Sequence, residues 1–385
     1  MSRRFIWLVF GVLLAGCGSI SEPTLTPQFG TALPDKATEV SVSPSGAIYT
    51  AGDFRDRSFL RRYSASGTLL WERTLNRASN LFYDSHFLAL DNASNVYVAV
   101  SGPDANEADL AKYSPSGERL WSKQQNNTIY GVATDALGNL FVASGGKGYL
   151  TKYSPSGRKM WERWGFPDPL AVAVSEEGDV HIVREDGMML KYAGDSSKLW
   201  TKPVDFTAGF RDYETEHFEL VVGQNEEVYV LARLLGEVYE GGDDTTYDAY
   251  LRLYAFDRNG ASRWARTVKH LGHPSFEQGG TLSGVINMGL TLTGGGKPVL
   301  AYAGTSSRDP DDTNAFVVSY SRGGSRLWGR EFGTADPDGA LGVAAQGSAL
   351  YVAGYSYADL AEPNRGFADA FLRKLGAQGE TLWTR

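Results

Sequence analysis

The chain has 385 residues, a formal net charge of −8, and 12 % aromatic residues. This acidic balance argues against a nucleic-acid partner, because phosphates are bound by a basic face. The chain contains one cysteine, Cys17, which excludes internal disulfides and a cysteine-ligated zinc site as sources of stability. The 45 glycines, together with the aromatic content, favour many short strands joined by tight turns.

The first predicted element, residues 1–16, is a targeting segment. Arg3 and Arg4 supply positive charge, and an apolar run follows from Phe5 to Leu14. That run is too short to cross a bilayer, which takes about 20 helical residues. Small residues then lead to Cys17. The pattern predicts a cleaved export signal.

The letters LAGC at 14–17 resemble the lipobox of bacterial lipoproteins. The resemblance implies cleavage before Cys17, lipidation of that residue, and a membrane tether over residues 17–27. Several acyl chains on one residue make a stable anchor. Gly18, rather than aspartate, follows the cysteine, which implies an outer-membrane lipoprotein facing the periplasm or the exterior. An ordinary secretory signal is the alternative.

A ten-residue pattern then recurs seven times. The hexapeptide KYSPSG stands at 112–117 and again at 152–157, and each copy leads into a tryptophan. The turn SPSG has residues that suit early turn positions and a glycine that suits positive φ, so the pattern predicts a structural turn. The tryptophans are Trp71, Trp121, Trp161, Trp200, Trp264, Trp328 and Trp383, with spacings of 39 to 64 residues, which are typical of propeller blades and solenoids.

A second pattern precedes each of these units. In GVATDALGNLFVASG at 131–145, two alternating stretches flank a turn and predict two short strands. With the strand before each YSPSG-type turn and the strand through each tryptophan, every unit has four strands. Seven such units predict an all-β fold, a seven-bladed β-propeller of four-stranded antiparallel blades over residues 28–385.

Two family resemblances accompany the repeat. DAFLRKLGAQGETLW and LGNLFVASG resemble the bacterial propeller repeats called SBBP repeats, over about residues 30–385. The spacing Gly-x-x-x-Trp, which fails only at Ser196, resembles the tryptophan-docking motif of quinoprotein propellers. This resemblance implies that each tryptophan packs between neighbouring blades. We predict that the seven tryptophans are packing residues.

Similar segments suggest how the ring closes. QFGTALPD at 28–35 matches EFGTADPD at 331–338, which follows the tryptophan strand of unit six. Because Arg385 aligns with Arg330, the chain ends where this segment would begin. We expect the two termini to meet at one blade, with the segment near Gln28 continuing the strand that ends at Arg385.

The connections that would carry function lie on one face. The connections between second and third strands (235–250 and 305–316) and those between units (204–217 and 268–283) vary in length, whereas the opposite turns are nearly constant. Loop variation on one face of a rigid ring is how such scaffolds present binding sites. The candidate ligand-binding residues are Tyr239, Asp243, Asp244, Tyr247, His270, His273, Asp309, Asp311 and Asp312, with Tyr355, Tyr357 and Asp53 on the same face. Solvated loop charge is the alternative interpretation.

A metal or an enzyme is less well supported by the sequence. DPDDTN at 309–314 is rich in oxygen ligands but lacks the glycine and the distal glutamate of an EF-hand loop. We therefore predict no cofactor and no metal, with calcium at this loop as the alternative. His270 and His273, with Glu277 nearby, are candidates for an imidazole site. His86 and His217, predicted near the channel mouth, either converge on a ligand or are ordinary hydrogen-bonded histidines.

Three functions remain open. The first is a monomeric, lipid-anchored envelope propeller that binds a protein or a polysaccharide through its variable, acidic face without catalysis. The second is an enzyme, either a quinone-dependent oxidoreductase or a histidine-based lyase or hydrolase. Quinoproteins of that type have eight blades, whereas this chain has seven units. The third is a structural surface protein without a specific ligand. Fold alone does not separate them.

Overall fold

The computed structural model describes residues 34–54, 57–78, 85–101, 108–206, 213–239, 245–272, 288–309, 312–360 and 363–385. Within these ranges every regular element is a β-strand, and the 28 strands form seven antiparallel sheets of four consecutive strands. Each sheet is one blade of a propeller, which confirms the predicted fold class. The signal segment 1–16, the tether 17–27 and Cys17 lie outside the described residues.

The strands of each blade follow the chain, and we call them a, b, c and d from the axis outward. Blades one to four comprise β1 (Asp35–Val42), β2 (Ile48–Phe54), β3 (Arg57–Tyr63), β4 (Leu69–Ala78); β5 (Ser85–Leu90), β6 (Val96–Ser101), β7 (Ala108–Tyr113), β8 (Arg119–Gln125); β9 (Ile129–Thr134), β10 (Leu140–Ser144), β11 (Tyr149–Tyr153), β12 (Lys159–Trp164); and β13 (Pro169–Val174), β14 (Val180–Arg184), β15 (Met188–Tyr192), β16 (Lys198–Pro203). Blades five to seven comprise β17 (Tyr213–Val222), β18 (Val228–Tyr239), β19 (Thr245–Phe256), β20 (Ser262–Gly272); β21 (Met288–Leu292), β22 (Pro298–Thr305), β23 (Thr313–Tyr320), β24 (Arg326–Phe332); and β25 (Asp338–Gln346), β26 (Ala349–Ser356), β27 (Asp369–Leu375), β28 (Thr381–Thr384).

The a strands surround the axis and close the ring. β1 contacts both β5 and β25, and the other a strands contact their neighbours in the same cyclic order. At the seam, the amide of Asp35 donates to the carbonyl of Ala368 over 2.7 Å. Blades seven and one are therefore neighbours. The segment near Gln28, expected to continue the strand that ends at Arg385, lies outside the described residues.

The repeated hexapeptide forms a structural turn. In blade two, the amide of Ser114 donates to the carbonyl of Glu118 over 2.8 Å, and the amide of Gly117 donates back to Ser114 over 2.9 Å. The same pair of bonds closes every c–d turn and the a–b turns of blades one to six. Gly117 has φ of 81°, a conformation that costs L-residues energy. This confirms the interpretation of SPSG as a turn.

The tryptophans join neighbouring blades. A Cβ on Gly117 would lie 3.0 Å from the ring of Trp71 in the preceding blade, and a Cβ on Gly67 would lie 3.1 Å from Trp383 across the seam. Trp71 Nε1 donates to the carbonyl of Pro115 over 2.9 Å. The Gly-x-x-x-Trp spacing therefore leaves room for the ring of the blade before. The packing role is confirmed, although the seven rings are half-buried rather than fully enclosed.

His181 takes the place of an aromatic ring in this packing. It lies edge-on to Trp200 at 5.7 Å, as Phe141 lies to Trp161 at 5.8 Å. His181 is buried, and among the described residues neither ring nitrogen has a hydrogen-bond partner. Burial, with a smaller contribution from the charge of Lys191, lowers the pKa of His181 to about 3. The ring is therefore neutral at physiological pH.

We expect His181→Phe to raise the free energy of unfolding by about 1–3 kcal/mol, because it removes an unsatisfied buried polar group. Phe141 shows that a phenyl ring fits the equivalent place. Urea unfolding measures the change. The reverse replacement in blade three, Phe141→His, should lower the stability. A loss of stability in His181→Phe would show that the imidazole nitrogens are bonded in solution.

Candidate functional site

The b–c and d–a connections lie together on one face, which we call the variable-loop face. Its b–c connections run from the short turn at 185–187 to the long connection between Ser356 and Asp369 in blade seven, of which residues 357–360 and 363–368 are described. The stretch 235–250, predicted to be a long connection, is mostly strand. β18 and β19 pair without a break as far as Tyr239 and Thr245, because valine, leucine and tyrosine continue the strand pattern. The connection there is only 240–244.

The predicted ligand-binding residues are only partly described. Asp309 is exposed in the loop at 306–312, and Asp312 in the same loop is buried. The backbones of Tyr239, Tyr247 and His270 belong to β18, β19 and β20, and their side chains are not among the described ones. Asp243, Asp244, Asp311 and His273 lie outside the described residues. Of the predicted set, Asp312 is the residue that the structure joins to a wider arrangement.

Three buried side chains from blades six and seven each leave an oxygen without a partner. They are Asp312, 8 % exposed, Asn314, 2 % exposed, and Asp338, 0 % exposed. Among the described residues, the Oδ1 atom of each accepts no hydrogen bond. Burial raises the pKa of Asp338, and the negative charge of Asp312 raises it further. These oxygens are desolvated acceptors, which are costly unless something binds them.

Glu331 fixes one side of this arrangement. It accepts hydrogen bonds of 2.9 Å from the amide of Ser307 and from Asn314 Nδ2, and a longer one from the hydroxyl of Ser306. Burial acts to raise the pKa of Glu331, but these bonds outweigh it and lower the pKa to about 2. Glu331 is therefore ionised across the physiological range and orients the amide of Asn314.

An aromatic cluster lies beside the three acceptors. Tyr355 contacts Tyr357 with ring centres 5.8 Å apart, and Tyr357 contacts Phe367 at 5.6 Å. Phe367 is 65 % exposed and Tyr357 is 36 % exposed. Burial first, with the neighbouring Tyr357 and the charges of Asp338 and Asp312, raises the pKa of Tyr355 to about 12. We call the three acceptors and the three aromatic residues the rim site.

The sequence pointed to part of the rim site. Tyr355, Tyr357 and Asp312 were among the acidic and aromatic residues of the predicted face. Asn314, Asp338 and Phe367 were missed, because their meeting depends on how the loops at 306–312 and 357–368 fold. The available signal was Asp338 itself, the last residue of the duplicated segment EFGTADPD.

A serine, a histidine and an aspartate also meet, but as a link between blades. His86 Nε2 lies 3.2 Å from Asp53 Oδ1 and 2.9 Å from Ser58 Oγ, and Nδ1 lies 3.1 Å from Thr38 Oγ1. Ser58 donates to Asp53, so its hydroxyl proton is not directed at the imidazole. All four residues are buried. His86 is thus a hydrogen-bonded structural residue, and Asp53 is buried against it rather than being a solvated loop charge.

The channel along the axis holds two carboxylates. A cavity of about 330 Å³ is lined by residues of all seven a strands, including Glu39 and Glu219. Burial, and then the charge of Glu219, raises the pKa of Glu39 well above its ordinary value. His217 Nε2 lies 3.2 Å from Glu219 Oε1. His217 is therefore at the channel, as predicted, whereas His86 is not, so the two do not converge.

Two further properties concern only the described ranges. Within them, no three side chains of histidine, cysteine, aspartate or glutamate come together as ligands for a metal ion. The same ranges contain no helix with the length and apolar character needed to cross a bilayer.

Comparison with known proteins supports the fold. No protein-family model matches the sequence, and no curated protein matches it. A catalytically inactive variant of virginiamycin B lyase from Staphylococcus aureus, solved with quinupristin, is 10 % identical with a TM-score of 0.55, over 90 % of this chain and 96 % of that one. BamB from Moraxella catarrhalis is 10 % identical with a TM-score of 0.49, over 89 % and 99 % of the two chains.

A protein of unknown function from Bacteroides caccae is 13 % identical with a TM-score of 0.42, over 60 % of this chain and 82 % of that chain. At these identities the similarity to the lyase establishes a shared propeller fold and nothing about activity. The other two similarities are too low to support an argument. The SBBP, lipobox and quinoprotein resemblances therefore remain resemblances of motif.

Proposed function

We propose that this chain is a monomeric, lipid-anchored protein of the cell envelope that binds a polysaccharide without catalysis, through the rim site on its variable-loop face. The anchor is Cys17, as the lipobox resemblance implies, and the outer membrane is the proposed location. A protein partner is the alternative occupant of the same face.

The exposed aromatic cluster carries this proposal. Tyr357 and Phe367 form a surface of adjoining rings, with Tyr355 behind them. Aromatic faces pack against the C–H faces of sugar rings, and a few placed polar groups orient a ligand. The phenol hydroxyl of Tyr357, which is 36 % exposed, can exchange hydrogen bonds with sugar hydroxyl groups. Polysaccharide chemistry needs both features in one place, and the rim site supplies both.

The enzyme alternative depends on His270 and His273. The side chain of His270 is not among the described ones, and His273 lies outside the described residues. The two histidines whose burial is nearly complete, His86 and His181, serve packing and blade pairing. A quinone absorbance in the purified chain, or release of sugar fragments from the bound polysaccharide, would favour the enzyme.

We expect the double variant Tyr357→Ser, Phe367→Ser to lose at least about tenfold in affinity for an envelope polysaccharide. A tenfold loss corresponds to about 1.4 kcal/mol of binding free energy, and aromatic side chains that anchor a ligand contribute more than that. The probes are purified peptidoglycan fragments and lipopolysaccharide, titrated calorimetrically into the full chain. The fold should be unaffected, because both side chains are partly or largely exposed.

The matched control is Leu137→Ser. Leu137 is 80 % exposed and lies in an a–b turn, on the opposite face of the ring. It should leave the affinity unchanged. Equal losses in both variants, or no binding of any polysaccharide by the native chain, would contradict the proposed role. Capture of an envelope protein that depends on Tyr357 and Phe367 would replace the polysaccharide with a protein partner.

A further inference from the structure

We propose that the rim site contains a binding site for a divalent cation of the calcium type, with Asp312, Asn314 and Asp338 as its side-chain ligands. The inference stands apart from the proposed polysaccharide binding, because it rests on the three buried acceptors and not on the aromatic surface. It also revises the prediction of no metal made from the sequence.

The orientation of Asn314 is set by its donors. Its Nδ2 group donates to Glu331 Oε1 and to Ser306 Oγ, each over 2.9 Å. Since the amide nitrogen must face these two acceptors, Oδ1 is turned the other way, and among the described residues it has no partner. A hydrogen-bonded group that orients a ligand from behind is typical of metal sites. Glu331 has that position here.

Asp338 presents its carboxylate to the same place. A Cβ built on Gly333 would lie 1.8 Å from Asn314 Oδ1 and 2.7 Å from Asp338 Oδ2, so the Asn314 amide oxygen and the Asp338 carboxylate both lie against Gly333. Asp338 Oδ2 accepts hydrogen bonds from the amide and the hydroxyl of Thr334. These bonds hold the carboxylate and leave Oδ1 as the atom without a partner. Glycine at 333 leaves room for both groups.

Asp312 supplies the second negative charge from the loop at 306–312. Asp312 lies beside Asn314, because the amide of Ser306 donates to the carbonyl of Asp312 and the hydroxyl of Ser306 accepts from Asn314 Nδ2, each over 2.9 Å. Among the described residues, Asp312 Oδ1 has no partner. The loop is folded back through the bond from the amide of Ser306 to the carbonyl of Asp312, 2.9 Å long. That turn carries the carboxylate inward.

A cation explains this arrangement better than the protein's own charges do. The charge of Asp338 acts on the guanidinium of Arg373, but the Nε of Arg373 donates to Thr384 Oγ1 over 2.8 Å and its guanidinium stacks on Phe332. Among the described residues, no ion pair joins Arg373 to either carboxylate. Two buried carboxylates without a bonded counter-charge are strongly unfavourable. Two carboxylates and an amide oxygen are hard ligands of the kind that calcium selects, and water completes such sites.

Calorimetric titration of Ca²⁺ into the metal-depleted full chain tests the inference. We expect one calcium-binding event and a rise in the unfolding midpoint with added Ca²⁺. Asp312→Asn and Asp338→Asn should each weaken binding at least tenfold. Glu331→Gln, which removes the carboxylate that orients Asn314 and holds the loop at Ser306 and Ser307, should weaken it by about tenfold. Asp312 lies in a loop, so its variant remains informative if Asp338→Asn fails to fold.

The control is Asp336→Asn, which removes an exposed charge two residues from Asp338 and should leave calcium affinity within twofold. Unchanged affinity in Asp312→Asn and Asp338→Asn would overturn the proposal. The proposal would also be overturned if the native chain takes up no Ca²⁺ and Asp338→Asn unfolds at a higher temperature. That result would mean that a proton shared by the two carboxylates, and not a cation, neutralises them. The titration measures calcium binding alone, so a failure of polysaccharide binding would not affect the conclusion about the cation site.

Discussion

Replacing Lys112 with methionine is expected to lower the free energy of unfolding by about 3–5 kcal/mol, because it leaves a buried carboxylate without its counter-charge. Lys112 is the lysine of the first KYSPSG copy. Its Nζ lies 2.9 Å from Asp91 Oδ2, donates to Tyr97 Oη over 2.7 Å, and reaches the carbonyl of Pro155 in the next blade at 3.3 Å. Urea unfolding of the full chain measures the loss.

The matched control for this prediction is Lys159→Met. Lys159 also forms an ion pair, with Glu162 at 3.1 Å, but both side chains are accessible to solvent. Its loss should change stability by no more than about 0.5 kcal/mol. Adding Asp91→Asn to Lys112→Met should recover part of the loss, since no unpaired charge then remains. Equal effects of the two lysine variants would contradict this account of the repeat.

Replacing His86 with alanine is expected to lower the free energy of unfolding by about 3 kcal/mol, because it leaves buried polar groups of blade one without their hydrogen-bond partner in blade two. His86 in β5 contacts Asp53, Ser58 and Thr38 of the preceding blade. The control is His217→Ala, since His217 is half-exposed at the channel and its loss should cost about 1 kcal/mol or less. Chemical unfolding at pH 7 compares the two variants.

The cost of His86→Ala should depend on pH. Burial acts to raise the pKa of Asp53, but the charge and hydrogen bond of His86 outweigh it, and the native pKa lies below the unfolded value of about 3.9. The stability that Asp53 contributes is therefore present above about pH 4 and lost as the pH falls through its native pKa. Without His86, burial raises that pKa, so the variant's deficit should shrink on acidification. A deficit independent of pH would contradict the role of His86 in lowering the pKa of Asp53.

The sequence predicted the architecture because the repeat contains its own turn and packing signals. Gly117 and Trp121 are four residues apart in the chain, so their pattern is visible in the letters, and it fixes both a turn and a blade contact. The role of Lys112 in β7 was not visible, because its partner Asp91 lies in the a–b turn of the same blade, far from Lys112 in the sequence. A lysine in a strand ordinarily indicates exposure.

The candidate site was predicted less completely, for a physical reason. Asp312 and Tyr357 were recognisable as loop residues of the variable face, but Asp338 begins strand β25 of the next blade and Phe367 lies at the far end of the loop that contains Tyr357. Loop conformation, rather than local pattern, brings them together. Asp53 shows the opposite error, since a residue expected among the acidic residues of the variable-loop face is buried against His86. Charge in a connection therefore does not establish exposure.

Hydrogen exchange of the full chain, with and without a bound envelope polysaccharide, tests most directly whether the variable-loop face is the binding face. We expect added protection in the blade-seven loop, over residues 357–360 and 363–368, and in the loop at 306–309. The SPSG turns at 114–117 and 154–157 on the opposite face should exchange at unchanged rates. Protection confined to those turns, or to the channel strands, would contradict the account.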